Sequence, residues 1–108
     1  MDNDFIYQKG YSVGQDLVTY NYKDVKITKD MDYEDYIDSI YTLVWQADDN
    51  YRSYSPFEFF AHELNSMEDP DSAWEVYGNS LTDGVETRIN TLVNEEWFEN
   101  WKKELFDE

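Results

Sequence analysis

Residues Tyr33-Glu-Asp-Tyr-Ile-Asp-Ser-Ile-Tyr-Thr-Leu-Val-Trp-Gln-Ala47 decide the fold class. Tyr33, Tyr36 and Ile37, Ile40, Leu43 and Val44, then Ala47 recur every three to four residues, which lines them along one face of an α-helix over about 32–48. Asp48-Asp49-Asn50 ends the pattern. Downstream, Ser55-Pro56-Phe57-Glu58 reads as an N-cap serine, a proline at the first helical position and a glutamate three residues after the cap. The helix it opens carries Phe57, Phe60, Ala61, Leu64 and Met67. Asp69-Pro70 restarts a shorter helix with Ala73, Trp74 and Tyr77, and Gly78 is expected to stop it. Thr82 or Asp83 then caps a long last helix whose inward stripe is Val85, Ile89, Leu92 and Val93, Trp97, Trp101 and Leu105. Upstream, Gly10, Gly14 and the run Leu17 to Tyr22, with Val18, Tyr20 and Tyr22 alternating, have the texture of a short strand or hairpin. The expected fold is mainly α, a compact helical domain of about four helices with room for a short N-terminal β-hairpin. It is read as one domain, in which residues 1–29 form an N-terminal segment and 30–108 a helical body.

Charge follows the same division. The 108 residues hold 25 Asp and Glu against 8 Lys and Arg, a formal −17. Residues 1–29 contribute nothing, since Asp2, Asp4, Asp16 and Asp24 offset Lys9, Lys23, Lys26 and Lys29. All of the excess falls on the helical body. Aromatic residues make up 19% of the chain, which is the opposite of a disordered acidic tail and argues for a packed core. With no cysteine there is no disulfide framework, thiolate metal site or thiol nucleophile. Met1-Asp-Asn-Asp-Phe lacks a basic segment followed by an apolar run, and nowhere do 18 apolar residues follow one another. A soluble protein of the cell interior is expected. Its acidic surface repels nucleic-acid phosphates and anionic lipids, so neither nucleic acid nor membrane is expected as a direct partner, and its partners should be basic.

Some acids have a local reason to be where they are. Asp32, Glu34, Asp35, Glu58, Asp71 and Glu86 are read into first helical turns, where the helix dipole favours negative charge by about 0.3–1 kcal/mol. Glu95, Glu96 and Glu99 are read into the middle of the last helix, where like charges at these spacings cost about 0.2–0.5 kcal/mol per pair. Glu104, Asp107 and Glu108 crowd its C-terminal end against Lys102 and Lys103 alone. Such repulsion serves either solubility or a partner. A duplex carries one charge per about 1.7 Å of axis, so a stretch of about 24 Å holds about 14 phosphates. One helix of that length exposes four or five carboxylates, so imitation of a duplex would need several helices and two subunits.

Other chemistry has weaker support. His62 is the only histidine, so a packing or surface role outweighs catalysis, and no triad or zinc site can be completed. The four glycines are scattered and form no phosphate loop. Asp30, Asp32 and Glu34 alternate like the start of a calcium loop, but Asp35 stands where the glycine belongs. No catalytic residue, cofactor or metal is expected, and the chain is not read as an enzyme. Tyr33, Tyr36, Phe57, Phe60, Trp74, Trp97 and Trp101 read as core, whereas Tyr41, Tyr51, Tyr54, Phe59 and Phe98 fall off those stripes and could form a homodimer contact.

Taken in order, Tyr33-Glu-Asp-Tyr-Ile-Asp-Ser-Ile-Tyr, Ala47-Asp-Asp-Asn50, Phe57-Glu-Phe-Phe-Ala-His-Glu-Leu64, Thr87-Arg-Ile-Asn and Glu96-Trp97-Phe-Glu-Asn-Trp101 resemble the Ocr-like phage DNA-mimic anti-restriction proteins over about residues 30–106. The resemblance implies a mostly helical homodimer that imitates bent duplex DNA and blocks type I restriction-modification enzymes in the host cytoplasm. Other phage DNA mimics, including anti-CRISPR proteins and the ArdA anti-restriction family, share the composition, and an anti-BREX role belongs to the same class. Residues 1–29 depart from the family, since they do not read as its N-terminal helix. The expected phosphate surrogates are Asp32, Glu34, Asp35, Asp38, Asp48, Asp49, Glu68, Asp69, Asp71, Glu95, Glu96 and Glu99. The expected partner is a DNA-binding host defence protein with a basic channel. The alternative is an acidic adaptor that binds a basic surface of a transcription or phage structural protein, and a plain acidic structural module stands behind both.

Overall fold

Asp2 begins the first helix, because its side chain accepts a hydrogen bond from the Phe5 N–H at 2.8 Å and so satisfies one of the free donors of the first turn. The computed structural model describes residues 2–106. Within them five helices follow one another: α1 (Asn3–Asn21), α2 (Tyr33–Tyr51), α3 (Ser55–Asn65), α4 (Pro70–Leu92) and α5 (Glu95–Phe106). The mainly helical expectation holds, with five helices in place of about four, and no strand occurs among the described residues.

The N-terminal hairpin is replaced by α1. Its buried residues are Ile6, Gly10, Val13, Gly14, Leu17 and Val18, a helical spacing in which two of the six positions are glycine. Those glycines let α1 approach α4 closely. A Cβ on Gly10 would fall on Ser80 Oγ and 2.6 Å from the Tyr77 carbonyl, and one on Gly14 would fall on the Leu81 carbonyl. Gly84 returns the favour from α4, since a Cβ there would strike the Tyr11 carbonyl. Gly10 lies by Tyr77 and Ser80, Gly14 by Leu81 and Val85, and Arg88 Nε donates to Thr19 Oγ1 at 2.9 Å, so α1 and α4 run in the same direction.

Gly78 does not end a helix. It lies inside α4 with open space around its Cα, and α4 runs through it to Leu92. Asp69 is the N-cap, accepting from Ser72 N at 3.2 Å, and Pro70 follows as the residue that needs no N–H there. Thr82 and Asp83 are therefore mid-helix residues, not caps. The expected long last helix is in fact broken at Val93 and Asn94, where Val93 takes extended backbone. Asn94 Oδ1 then accepts from Trp97 N at 2.8 Å and starts α5 afresh. At α3 the N-cap is Tyr54, without a side-chain hydrogen bond, and Ser55 is already helical.

α2 lies antiparallel to the α1–α4 pair. Tyr36, near its start, donates its hydroxyl to the Tyr22 carbonyl at 2.7 Å, beyond the end of α1. Two aromatic clusters close the ends. At one, Tyr36 stacks on Phe98 at 4.8 Å, and Trp97 and Trp101 pack around them, which seats α5. At the other, Phe57 and Phe60 of α3 pack on Tyr77, and the Arg52 guanidinium sits 5.6–5.7 Å from the ring centroids of Phe57, Trp74 and Tyr77. The inward residue of α5 is Phe98, fully buried, while Trp97 and Trp101 are half-buried and Leu105 is 54% exposed, so the expected stripe is rotated. The molecule is long for its size. Its Cα radius of gyration is 16.4 Å, where a compact chain of this length gives about 13 Å, and it measures 58 × 22 × 16 Å.

Candidate acidic partner interface

Capping and the helical dipole place many of the candidate acids. Asp32 caps α2, accepting from Asp35 N at 2.8 Å, while the Asp35 side chain accepts from Asp32 N at 3.5 Å to complete a capping box. Glu34 and Asp38 stand beside them, exposed on α2. Glu95 and Glu96 open α5, and the packing of Tyr33 and Tyr36 against Phe98 brings that helix start to the start of α2. Burial and then the nearby Glu95 carboxylate push the Tyr33 hydroxyl above its ordinary pKa. Glu99 is half-buried and lies 3.5 Å from Lys102 Nζ, so part of its charge is met within the chain. Asp107 and Glu108 lie outside the described residues.

A second group gathers at the opposite end. Glu68, the cap Asp69 and Asp71 in the first turn of α4 are exposed, as is Asp49 near the end of α2. Along α2, Asp35 and Asp49 are about 21 Å apart at 1.5 Å per residue. Asp48 does not belong to this surface. It is buried, one carboxylate oxygen accepts from Arg52 Nε at 3.1 Å, and the other has no partner. Burial raises its pKa against the lowering influence of Arg52. A carboxylate held inside the aromatic cluster cannot stand in for a phosphate, so Asp48 leaves the set.

The electrostatic reading of the last helix also changes. Glu95 and Glu96 are not mid-helix but in a first turn, where the dipole favours them. Glu86, read as a first-turn residue, is instead in the middle of α4 together with Glu75 and Asp83. These three exposed acids, two of them at i,i+3, are among those the fold tolerates without a dipole to favour them. Glu75 and Asp83 were missed as candidate sites because α4 was split at Gly78. The signal was present in the spacing of 75, 83 and 86 once the helix is continuous. They bridge the two end groups along α4. Tyr7 donates its hydroxyl to Asp83 at 3.0 Å, the main reason its pKa rises, and Tyr41 is raised first by burial and then by Glu86.

His62 is exposed near the end of α3. Among the described residues no three His, Cys, Asp or Glu side chains converge to hold a metal ion, and no helix is long and apolar enough to cross a membrane. No family model, curated protein or solved structure matches the chain.

Proposed function

We propose that the chain is a DNA-mimic inhibitor that occupies the basic DNA-binding channel of a host defence enzyme. The resemblance over residues 30–106 favours a type I restriction-modification enzyme, with BREX and CRISPR effectors as further members of the class. One observation carries this reading, the linear density of charge. Leaving aside Asp107 and Glu108, the −17 becomes −15 over a rod 58 Å long, one net charge per about 3.9 Å, against about 3.4 Å for the phosphates of one DNA strand. Acids at both ends and along α4 spread that charge over the whole length. The helix α1 also removes the departure at the N-terminus that set residues 1–29 apart from the Ocr-like proteins.

Binding rests on many weak contacts, each carboxylate meeting a lysine or arginine of the target. Displacement of duplex DNA from a purified type I enzyme by this protein tests it. The protein should compete with DNA mutually exclusively, and its affinity should fall steeply as salt rises. Tight capture of a basic transcription or structural protein, with no competition by DNA, would favour the adaptor reading instead.

A further inference from the structure

Between α2 and α4 runs an open groove of about 320 Å³. Tyr33, Ile37 and Tyr41 stand at successive i,i+4 positions along α2 and form one wall, about 12 Å from first to last. Glu86, Ile89 and Asn90 of α4 form the other. The two helices are antiparallel, so carboxylates fall at both ends of the groove. Glu95 lies near the Tyr33 hydroxyl and Glu86 near that of Tyr41, each close enough to add to the rise that burial gives its phenol. No lysine or arginine lines the groove, and the ion pairs among the described residues, Arg52 with Asp48 and Lys102 with Glu99, both lie outside it. The protein itself shows what such a setting holds. The Arg52 guanidinium sits 5.6–5.7 Å from the ring centroids of Phe57, Trp74 and Tyr77 while its Nε donates to Asp48 at 3.1 Å. A planar cation suits rings and a carboxylate together, because its face attracts the rings and its edge forks to the oxygens, whereas an ammonium is a point charge. The α2–α4 groove presents the same two elements, with no cation of its own chain between them.

We infer that the α2–α4 groove is an anchoring slot for an arginine side chain of the partner protein. The aliphatic stem lies along Ile37 and Ile89, the guanidinium face rests on the Tyr41 ring and its edge meets Glu86, with the Asn90 amide oxygen one turn further along α4 as another acceptor. The slot deepens the proposed function, and rests on it only for the identity of the partner. To the phosphate-like acids it adds a contact that no phosphate makes. Stacking on a ring face acts at short range, so it fades less with salt than pairs of exposed charges do. It also discriminates, since a lysine in the same place forgoes both the stacking and the forked hydrogen bonds.

The test is a titration of the full chain with the blocked peptide acetyl-Gly-Arg-Gly-amide, followed by NMR on the signals of Tyr41, Ile37 and Ile89. The corresponding lysine peptide at equal ionic strength is the comparison. The arginine peptide should shift these signals saturably with a Kd on the order of 1–10 mM, about threefold or more below that of the lysine peptide. Glu86→Gln and Tyr41→Leu should each weaken it about three- to fivefold. Tyr41→Phe keeps the ring and Glu75→Gln lies outside the groove on the same helix, so both should leave it unchanged. Glu86 is exposed, so its variant reports on the slot even where Tyr41→Leu lowers the thermal midpoint. Shifts that do not saturate, that the lysine peptide matches, or that Glu86→Gln leaves untouched would overturn the slot. A protein that displaces duplex DNA from the type I enzyme without binding the arginine peptide loses the slot and keeps the proposed function. One that binds the peptide here and never competes with DNA keeps the slot and loses the function.

Discussion

Four glycines carry opposite consequences depending on what surrounds them. At Gly14 an alanine Cβ would be driven onto the Leu81 carbonyl, and backbone cannot step aside as a flexible side chain can. Gly14→Ala should therefore cost about 1–3 kcal/mol despite its better helix propensity, visible as a lowered thermal midpoint and a loosened α1. Gly78→Ala meets nothing within 4 Å and should gain about 0.5–1 kcal/mol, raising the same midpoint. Asp48 supplies a prediction in pH. Its folded pKa is raised above 3.8, so the folded chain holds this proton more tightly than the unfolded one, and the stability it lends at low pH is lost as pH rises through the folded value. Asp48→Asn removes that titration. The midpoint of the variant minus that of the native chain should therefore grow between pH 4 and pH 7 in parallel thermal melts. A constant difference would mean that Asp48 is not perturbed. Neither the burial of Asp48 nor the contact at Gly14 could be read from the chain, because each depends on a partner far away in sequence.

At the level of elements, legibility followed the hydrophobic period. α2 was readable because Tyr36, Ile40 and Val44 mark its buried face with large apolar groups. α1 was misread because its face is Ile6, Gly10, Val13, Gly14 and Val18, and a glycine contributes to packing by absence, which no hydrophobic pattern registers. The alternation of Val18, Tyr20 and Tyr22 then carried more weight than it deserved. Gly78 failed as a stop for the converse reason, since Tyr77, Leu81 and Val85 bury the helix on both sides of it. The break before α5 was hidden because Val93 continues the apolar stripe while its backbone leaves the helix. Asn94 is the residue that restarts it, so Asn94→Ala should cost about 1 kcal/mol and fray α5. Loss of the tryptophan signal of Trp97 and Trp101 at lower denaturant would report it. The candidate interface was legible only in part, and in the same way. Caps and first turns announce Asp32, Glu34, Asp35, Asp69 and Asp71, whereas Glu75, Asp83 and Glu86 join only when α4 is known to be continuous.

For the whole molecule, the proposed function predicts graded losses. Neutralising one exposed acid, such as Glu86→Gln or Asp71→Asn, should weaken competition with DNA by a few-fold, about 0.2–1 kcal/mol. Four or more together, drawn from both ends and from α4, should abolish it in the same assay. A single neutral substitution that destroys inhibition while the fold persists would point to a specific site instead. The charge total was legible from composition, but the rod that spreads it over 58 Å was not, because length arises from the end-to-end placement of α3 and α5. The parallel pairing of α1 with α4 has a consequence for synthesis. α1 is made first, yet the surface it needs is completed only at Leu92, roughly 4–14 s later at ordinary translation rates. Until then the glycine-bearing face of α1 that meets α4, with Gly10 and Gly14, has only α2 at its flank. A chain truncated before Pro70 should show little helix from residues 3–21 by circular dichroism, so inhibition would begin only when the chain is nearly complete.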